Sequence, residues 1–403
     1  MTTVLSIVIP TRNRVATLRR TIEGWLRHES RASFELVVVD DGSEDATGSY
    51  LAAEASREPR LRALRQAASG PAQARNRAIA EARGRYLLLA GDDVRPGEGL
   101  VDGHVAAHEV PGAPRFVLGR TDWDPERPIT PVMRHVTGLG GQQFRYDYLR
   151  DGERLGFKYF YGSNLSLRRS ELEPLAEPFD PAFGGAALED ADLGLRLMGS
   201  RPEIGYRSGL KAWHDHFHDV ASFCERQRRV GRATAVLFAK HPGIAAGFGA
   251  GELETARVVA KGQAPGTAMA REEVAEAEGW LAGWLGSFGQ SQARWPGRIC
   301  LGLFWYHQAK GMVEAEGPVS ADAALLGVLM GRALACPLRS ALRDPACPSS
   351  GEKRAGLGRL AERLAAASGR GRLSCLRWWL SVRGRETYHW LRSRPRHSLS
   401  SPG

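Results

Sequence analysis

Three adjacent pairs of acidic residues are the groups in this chain best suited to chemistry: Asp40-Asp41, Asp92-Asp93 and Glu189-Asp190. Unpaired carboxylates repel one another, so a cluster of them calls for a cation or for separate tasks. Asp92-Asp93 offers hard oxygen ligands suited to Mg2+ or Mn2+, and such an ion bridges carboxylates to substrate phosphates. A diphosphate leaving group is its natural companion, because the ion offsets the charge that develops as a sugar–phosphate bond breaks. His214 adds a nitrogen ligand, which tilts the choice toward Mn2+. His216, two residues on, is read as a surface residue and given no role. Glu189-Asp190 begins a predicted helix, where the dipole keeps a carboxylate ionised. One of the pair then serves as general base toward an acceptor hydroxyl. Asp192 in the same turn is an alternative base. Attack opposite the leaving group inverts the reacting carbon.

These residues need a scaffold that collects them. Val4–Ile9, Phe34–Val39 and Tyr86–Leu89 are apolar runs, Leu61–Leu64 is a further candidate strand, and stretches of helical periodicity separate them. Strands that are apolar throughout are buried on both faces, which indicates a mostly parallel sheet with helices on each side. Ligands bind such sheets beyond the carboxyl ends of the strands. Thr11-Arg12-Asn13, Asp40-Asp41 and Gly91-Asp92-Asp93 all fall at such ends. Residues 120–160 read as loop, Ser163–Leu167 as a strand, Leu188–Leu197 as a helix and Leu210–Trp213 as a short strand that ends at His214.

The ordered set Ser6-Ile7-Val8-Ile9-Pro10-Thr11-Arg12-Asn13-Arg14, Val37-Val38-Val39-Asp40-Asp41-Gly42-Ser43, Ala74-Arg75-Asn76, Gly91-Asp92-Asp93 and Glu189-Asp190-Ala191-Asp192-Leu193 resembles the family 2 glycosyltransferases, which have the GT-A fold. The similarity runs over about residues 3–235. It implies transfer of a sugar, with inversion, from a nucleotide-diphosphate sugar (usually UDP-linked) to a saccharide, lipid-linked or other hydroxyl. It also implies roles. Pro10, Thr11 and Arg12 lie under the nucleotide, Asp41 with Asp40 contacts the base, and Arg75 reaches the same end of the site. Asp93 holds the metal with Asp92 nearby, and His214 stands near the diphosphate. Asp190 is the catalytic base, Glu189 positions the acceptor, and Gly162 and Asn164 belong to the sugar and acceptor pocket. Where the family often carries a first aspartate, this chain has Gly91, which bears on metal affinity.

These signals assign residues 1–240 to the GT-A domain, 241–392 to a helical C-terminal region and 393–403 to a disordered tail. The net charge is +10, yet residues 351–403 hold twelve Lys/Arg against three Glu, so the excess sits in the tail. There, Leu357, Leu360 and Leu364 form one helical stripe. Leu373, Leu376, Leu380, Trp378, Trp379, Tyr388 and Trp390 form another, flanked by arginines. Such a segment suits an anionic membrane surface, or equally a docking helix. No nucleic-acid module is present, so no nucleic-acid partner is expected. The five scattered cysteines lie beyond residue 220, without CxxC spacing. They read as core residues in a reducing compartment. No signal-peptide pattern and no long apolar run is seen, so the expected location is cytoplasmic, peripheral to the inner membrane face.

Two rivals are weaker. A nucleotidyltransferase needs a glycine-rich loop after the first strand, and Thr11-Arg12-Asn13-Arg14 has no glycine. A non-catalytic scaffold of the same fold gains from Gly91 and loses from Asp93 and Asp190.

Overall fold

The computed structural model describes residues 3–138, 141–185, 187–244, 260–261, 268–286, 297–316, 323–342 and 351–368. They form two compact units. The first holds residues 1–219 and 232–242, the second residues 220–231 and 243–403.

The first unit is built on one mixed sheet of order β3-β2-β1-β4-β8-β6-β9-β5, with β7 paired to β9. Its strands are β1 (Leu5–Thr11), β2 (Phe34–Asp41), β3 (Leu61–Gln66), β4 (Tyr86–Ala90), β5 (Val94–Pro96), β6 (Phe116–Trp123), β7 (Arg154–Leu155), β8 (Asn164–Arg168) and β9 (Ile204–His214). The four stretches predicted as strands are β1 to β4, and they pair in parallel. Ile7, Val8 and Ile9 in the middle of β1 are at most 1% exposed, so side chains on both faces are buried. Each contributes roughly 1.5–3 kcal/mol relative to exposure. Helices α1 (Val15–Leu26), α2 (Thr47–Ala55), α3 (Pro71–Glu81) and α4 (Leu100–Glu109) cover the faces.

The other half of the sheet departs from the parallel expectation. β8 runs antiparallel to both β4 and β6, while β6 and β9 are parallel to each other. Residues 116–123, partly assigned to loop by the sequence, are a buried strand with a bulge between Gly119 and Arg120. Helix α5 (Pro131–Thr137) comes next, then α6 (Glu189–Met198). Helix α7 (Val220–Lys240) passes from one unit into the other.

The second unit is helical: the first half of α7, then α8 (Arg271–Gly286), α9 (Gly297–Ala315), α10 (Ala323–Leu342) and α11 (Gly351–Ser368). Gly231 and Gly311 let α7 and α9 approach at backbone distance. A methyl group on either would collide with a carbonyl of the other helix, from Gln308 or Arg228. Phe223 packs on Phe304, and Arg228 pairs with Glu314 at 2.7 Å. Leu357 and Leu364 are buried, as their stripe predicts. The aromatic, basic stretch 373–392 lies outside the described residues. Among those residues no helix is long and apolar enough to cross a membrane.

Cys224 and Cys300 are free and buried, in keeping with core packing. Cys336 is buried as well and is disulfide-bonded, a pairing the sequence reading did not expect.

Candidate active site

The loop after β1 turns through Asn13, whose φ of 52° is left-handed. Asparagine tolerates that region better than most residues. The Asn13 N–H donates to Ser43 Oγ at 2.9 Å, and its Oδ1 accepts from the Glu44 N–H at 2.7 Å. The Asn13-Arg14 loop is thereby laced to the Asp-Gly-Ser turn after β2. Arg12 stands exposed beside it, Pro10 is half-buried and Thr11 is buried.

Asp41 serves this turn. Its carboxylate accepts from Gln66 Nε2, Ser69 N–H and Gly70 N–H, each at 2.8 Å. A carboxylate has about four acceptor positions, so three of Asp41's are spent holding the loop before α3. Asp40 is 1% exposed and accepts from the Ser43 N–H at 2.9 Å. The expectation that both aspartates face a base is corrected for Asp40, which is sealed inside the turn.

Asp92 and Asp93 come directly after β4. Thr11 Oγ1 donates to Asp92 Oδ2 at 2.8 Å. Arg14 spans the pair, reaching Asp92 Oδ1 at 3.0 Å and Asp93 Oδ2 at 2.9 Å. Pairing of β5 with β9 puts Val94 opposite His214, and the Asp215 N–H donates to the Asp93 carbonyl at 2.7 Å. The register therefore delivers His214 Nε2 to 3.4 Å and His216 Nδ1 to 3.0 Å from the Asp93 carboxylate. Ligand atoms of Asp93, His214 and His216 lie within 4.8 Å of one another. Burial pushes the Asp93 carboxyl up, but His214, His216 and Arg14 outweigh it and hold the group well below the usual range. Burial and the Asp93 charge push Asp92 the other way, up to about 6. His214 stacks on Trp123 at 5.2 Å, and its buried Nδ1 has no hydrogen-bond partner. Position 91 explains the missing aspartate in part, since a Cβ there would sit 2.7 Å from Asp93 Oδ1.

The third pair opens α6. Its preceding residue, Leu188, has a φ of 61°, a strained value for a bulky side chain. Asp190 Oδ2 accepts from the Gly162 N–H at 3.0 Å, and Oδ1 from the Ala191 N–H at 2.8 Å. Burial raises the Asp190 carboxyl above its ordinary value, against these hydrogen bonds. Glu189 is 3% exposed and hydrogen-bonded to Arg75, itself 8% exposed. Burial lifts Glu189 to about 6 despite that partner. Arg75 thus reaches the start of α6, and Glu189 is buried against it. Asp192 is fully buried between Arg196 Nε at 2.8 Å and His241 Nε2 at 2.7 Å.

Asn164 is also placed differently from expectation. Its Nδ2 donates to the carbonyls of Arg120 and Leu210 at 3.2 and 2.9 Å, and its Oδ1 faces His104 Nε2 at 2.9 Å. It ties β8, β6 and β9 together. Only the backbone of nearby Gly162 takes part in the site.

Residues 6–173 match the family model described as Glycosyl transferase family 2. That stretch is a family 2 glycosyl transferase domain. A validoxylamine A glucosyltransferase of Streptomyces hygroscopicus subsp. jinggangensis is 30% identical over 243 residues, which is 54% of this chain and 57% of that protein. The succinoglycan biosynthesis protein ExoO of Rhizobium meliloti is 40% identical over 94 residues, 23% of this chain and 26% of that protein. A solved mannosyltransferase from Pyrobaculum calidifontis, in complex with GDP-Man and Mn2+, aligns at 15% identity with a TM-score of 0.46, over 91% of this chain and 86% of that one. The chain spans little more than half the length of the curated glucosyltransferase it matches.

Two residues of this cluster, His216 and Arg14, were given little or no weight by the sequence reading. His216 carries a signal, because His214-x-His216 puts two imidazoles on the same side of an extended segment. Arg14 carries none beyond its place in the first loop. Between the metal-type cluster and Asp190 runs a line of partly exposed rings. Phe144 meets His214 at 5.4 Å and Tyr161 at 5.8 Å, and Tyr161 precedes the Gly162 that holds Asp190. Phe144 itself has a φ of 48°.

Proposed function

We propose that this chain is an inverting glycosyltransferase that moves a sugar from a nucleotide-diphosphate donor, UDP-linked by preference, to a hydroxyl of a saccharide or lipid-linked acceptor. The observation that carries the reading is the convergence of Asp93, His214 and His216 at the sheet edge of a family 2 domain. One carboxylate oxygen and two imidazole nitrogens suit Mn2+ and, less well, Mg2+. Asp93, His214 and His216 would hold the ion, and it would offset diphosphate charge as the donor bond breaks.

The chain's own groups do the rest. Arg12 and the Pro10-Thr11 loop border the nucleotide, with the one spare acceptor position of Asp41 left for its base. Asp190 takes the proton of the acceptor hydroxyl while the new C–O bond forms at the anomeric carbon. The bond from that carbon to the phosphate oxygen breaks, and the nucleoside diphosphate leaves with the electron pair. The Gly162 and Ala191 N–H groups fix the Asp190 carboxylate for this step. Asp192 has both oxygens committed to Arg196 and His241, which favours Asp190 as base. Sugar lies along Phe144 and Tyr161. A membrane-surface contact through the basic C-terminal stretch belongs to the same proposal and accords with lipid-linked acceptors.

The test is a thermal-shift screen of nucleotide sugars with Mn2+, completed by transfer assays. A ligand that binds only the folded state raises the midpoint with its affinity. Asp93→Ala is expected to abolish the Mn2+-dependent shift. A full shift in that variant overturns the metal assignment.

A further inference from the structure

We propose that Arg14 is an internal cation that competes with a divalent metal for Asp92 and Asp93, and so sets the affinity of the metal site. The inference rests on the reading of Asp93, His214 and His216 as that site.

The guanidinium draws on the same oxygens a metal would use. One of its nitrogens lies 2.9 Å from Asp93 Oδ2, the oxygen that also faces His216 Nδ1 at 3.0 Å. The other lies 3.0 Å from Asp92 Oδ1. The distance from Arg14 to His216 Nδ1 is 3.4 Å. Arginine therefore sits inside the prospective ligand set and spans two carboxylates at once through two nitrogens of its planar fork.

Its backbone is fixed there. Asn13 before it is locked to the Asp-Gly-Ser turn, and the Arg14 N–H donates to Thr47 Oγ1 at 3.2 Å. Its side chain is 33% exposed, against 9% and 10% for Asp92 and Asp93. The carboxylates are enclosed, while the guanidinium has an open side toward which it can turn.

Charge decides the direction of the effect. Asp92, Asp93 and Arg14 together carry one negative charge when both carboxyls are ionised, and a divalent ion entering beside Arg14 meets a like charge within contact distance. Removing the guanidinium leaves two negative charges. At such separations like-charge repulsion amounts to several kcal/mol even at an effective dielectric constant of about 20. Asp215 nearby is neutralised by others, through Arg20 at 2.6 Å and Arg127 at 3.1 Å. Arg14 is thus the one cation paired with both Asp92 and Asp93 among the described residues, and Gly91 leaves no further carboxylate to tip the balance toward the ion.

The experiment titrates Mn2+ alone into the full chain by calorimetry, for the wild type, Arg14→Gln, Arg14→Lys and Asp93→Asn. Arg14→Gln is expected to bind Mn2+ about tenfold tighter or more, where tenfold corresponds to about 1.4 kcal/mol. Arg14→Lys keeps the positive charge and is expected to stay closer to wild type than Arg14→Gln. The thermal midpoint in chelator is expected to drop in Arg14→Gln, and the gap to wild type to close at saturating Mn2+. A purely structural arginine would leave the same gap in both conditions. Wild-type affinity in Asp93→Asn, or no binding in any variant, overturns the metal site itself. Loss of binding in Asp93→Asn together with unchanged or weaker binding in Arg14→Gln overturns the role of Arg14 alone. Should Arg14→Gln not fold, Arg14→Met takes its place, and unchanged or weaker Mn2+ binding in that variant overturns it equally.

Discussion

The Gly162 N–H donates to Asp190 Oδ2 at 3.0 Å, so the backbone entering β8 holds a carboxylate at the start of α6. That bond and the one from Ala191 leave the remaining lone pairs of Asp190 for an acceptor hydroxyl. Asp190→Asn preserves shape and removes the basicity. It is expected to lower sugar transfer by about 10²–10⁴-fold, the usual worth of a general base. The nucleotide-sugar thermal shift should stay within error of wild type. Transfer retained in Asp190→Asn would mean the base lies elsewhere.

The adjacent Glu189 sets the pH at which that base works. Both carboxyls are raised by burial, Glu189 to about 6, and the Asp190 charge adds to the rise at Glu189. A base must be deprotonated, so transfer should rise with pH through the acid range. Glu189→Gln takes away a negative neighbour, which favours ionised Asp190 and moves the acid limb to lower pH. A rate–pH profile of the two proteins checks this. A limb displaced upward in Glu189→Gln would contradict the assignment.

Much of this arrangement was legible in the sequence, and the reason is local. Continuous apolar strands and the turn residues after them mark β1, β2 and β4, and residues just past the carboxyl end of a parallel strand must face the ligand side. Asp92-Asp93 follows β4 in this way, while Glu189-Asp190 is read from the start of a helical stretch. The misplaced residues all depend on long-range packing. Nothing in Ala74-Arg75-Asn76 tells that Arg75 spans to Glu189, 114 residues away. Asp40 and Asp41 differ only in which side of β2 each faces, and that assigns one to the sealed turn. His216 was passed over because its partner, Asp93, is reached only through the β5–β9 register.

Asn164 shows how a polar residue at a strand end can be structural. Its two Nδ2 donations fix Oδ1 as the acceptor for His104 Nε2–H, so His104 Nδ1 accepts from Ser166 Oγ at 2.8 Å. Asn164→Leu strands two carbonyls and an imidazole, and a buried unsatisfied group costs about 1–3 kcal/mol. The expected result in denaturant titration is a loss of stability of at least that order, with the KM for acceptor unchanged in the protein that remains folded. An acceptor KM effect without a stability loss would restore Asn164 to the pocket.

The same network predicts acid sensitivity. Burial lowers His104 from 6.5 to about 4 and, with His104 and Arg168 nearby, His108 to about 3. The unfolded chain therefore binds more protons than the folded one below about 6.5. Their contribution is complete above that pH and is lost as the pH falls toward the folded values. His104→Gln should flatten this part of the stability curve while changing little of its slope above pH 7. Equal slopes in both proteins between pH 4 and about 6.5 would show that His104 is charged in the folded state.

Phe144 joins strain to a functional position. Its φ of 48° costs of order 1–3 kcal/mol for a non-glycine residue. Its ring meets His214 at the metal-type cluster and Tyr161 beside Gly162, along the line proposed for the sugar. Glycine adopts positive φ without penalty. Phe144→Gly therefore relieves the strain that Phe144→Ala keeps, and both remove the ring. The glycine variant should be the more stable of the two by thermal melt, while both raise the KM for sugar substrates by about tenfold, the order expected for about 1.4 kcal/mol of lost contact. If both variants keep wild-type KM values, the strained ring serves the loop and not the sugar.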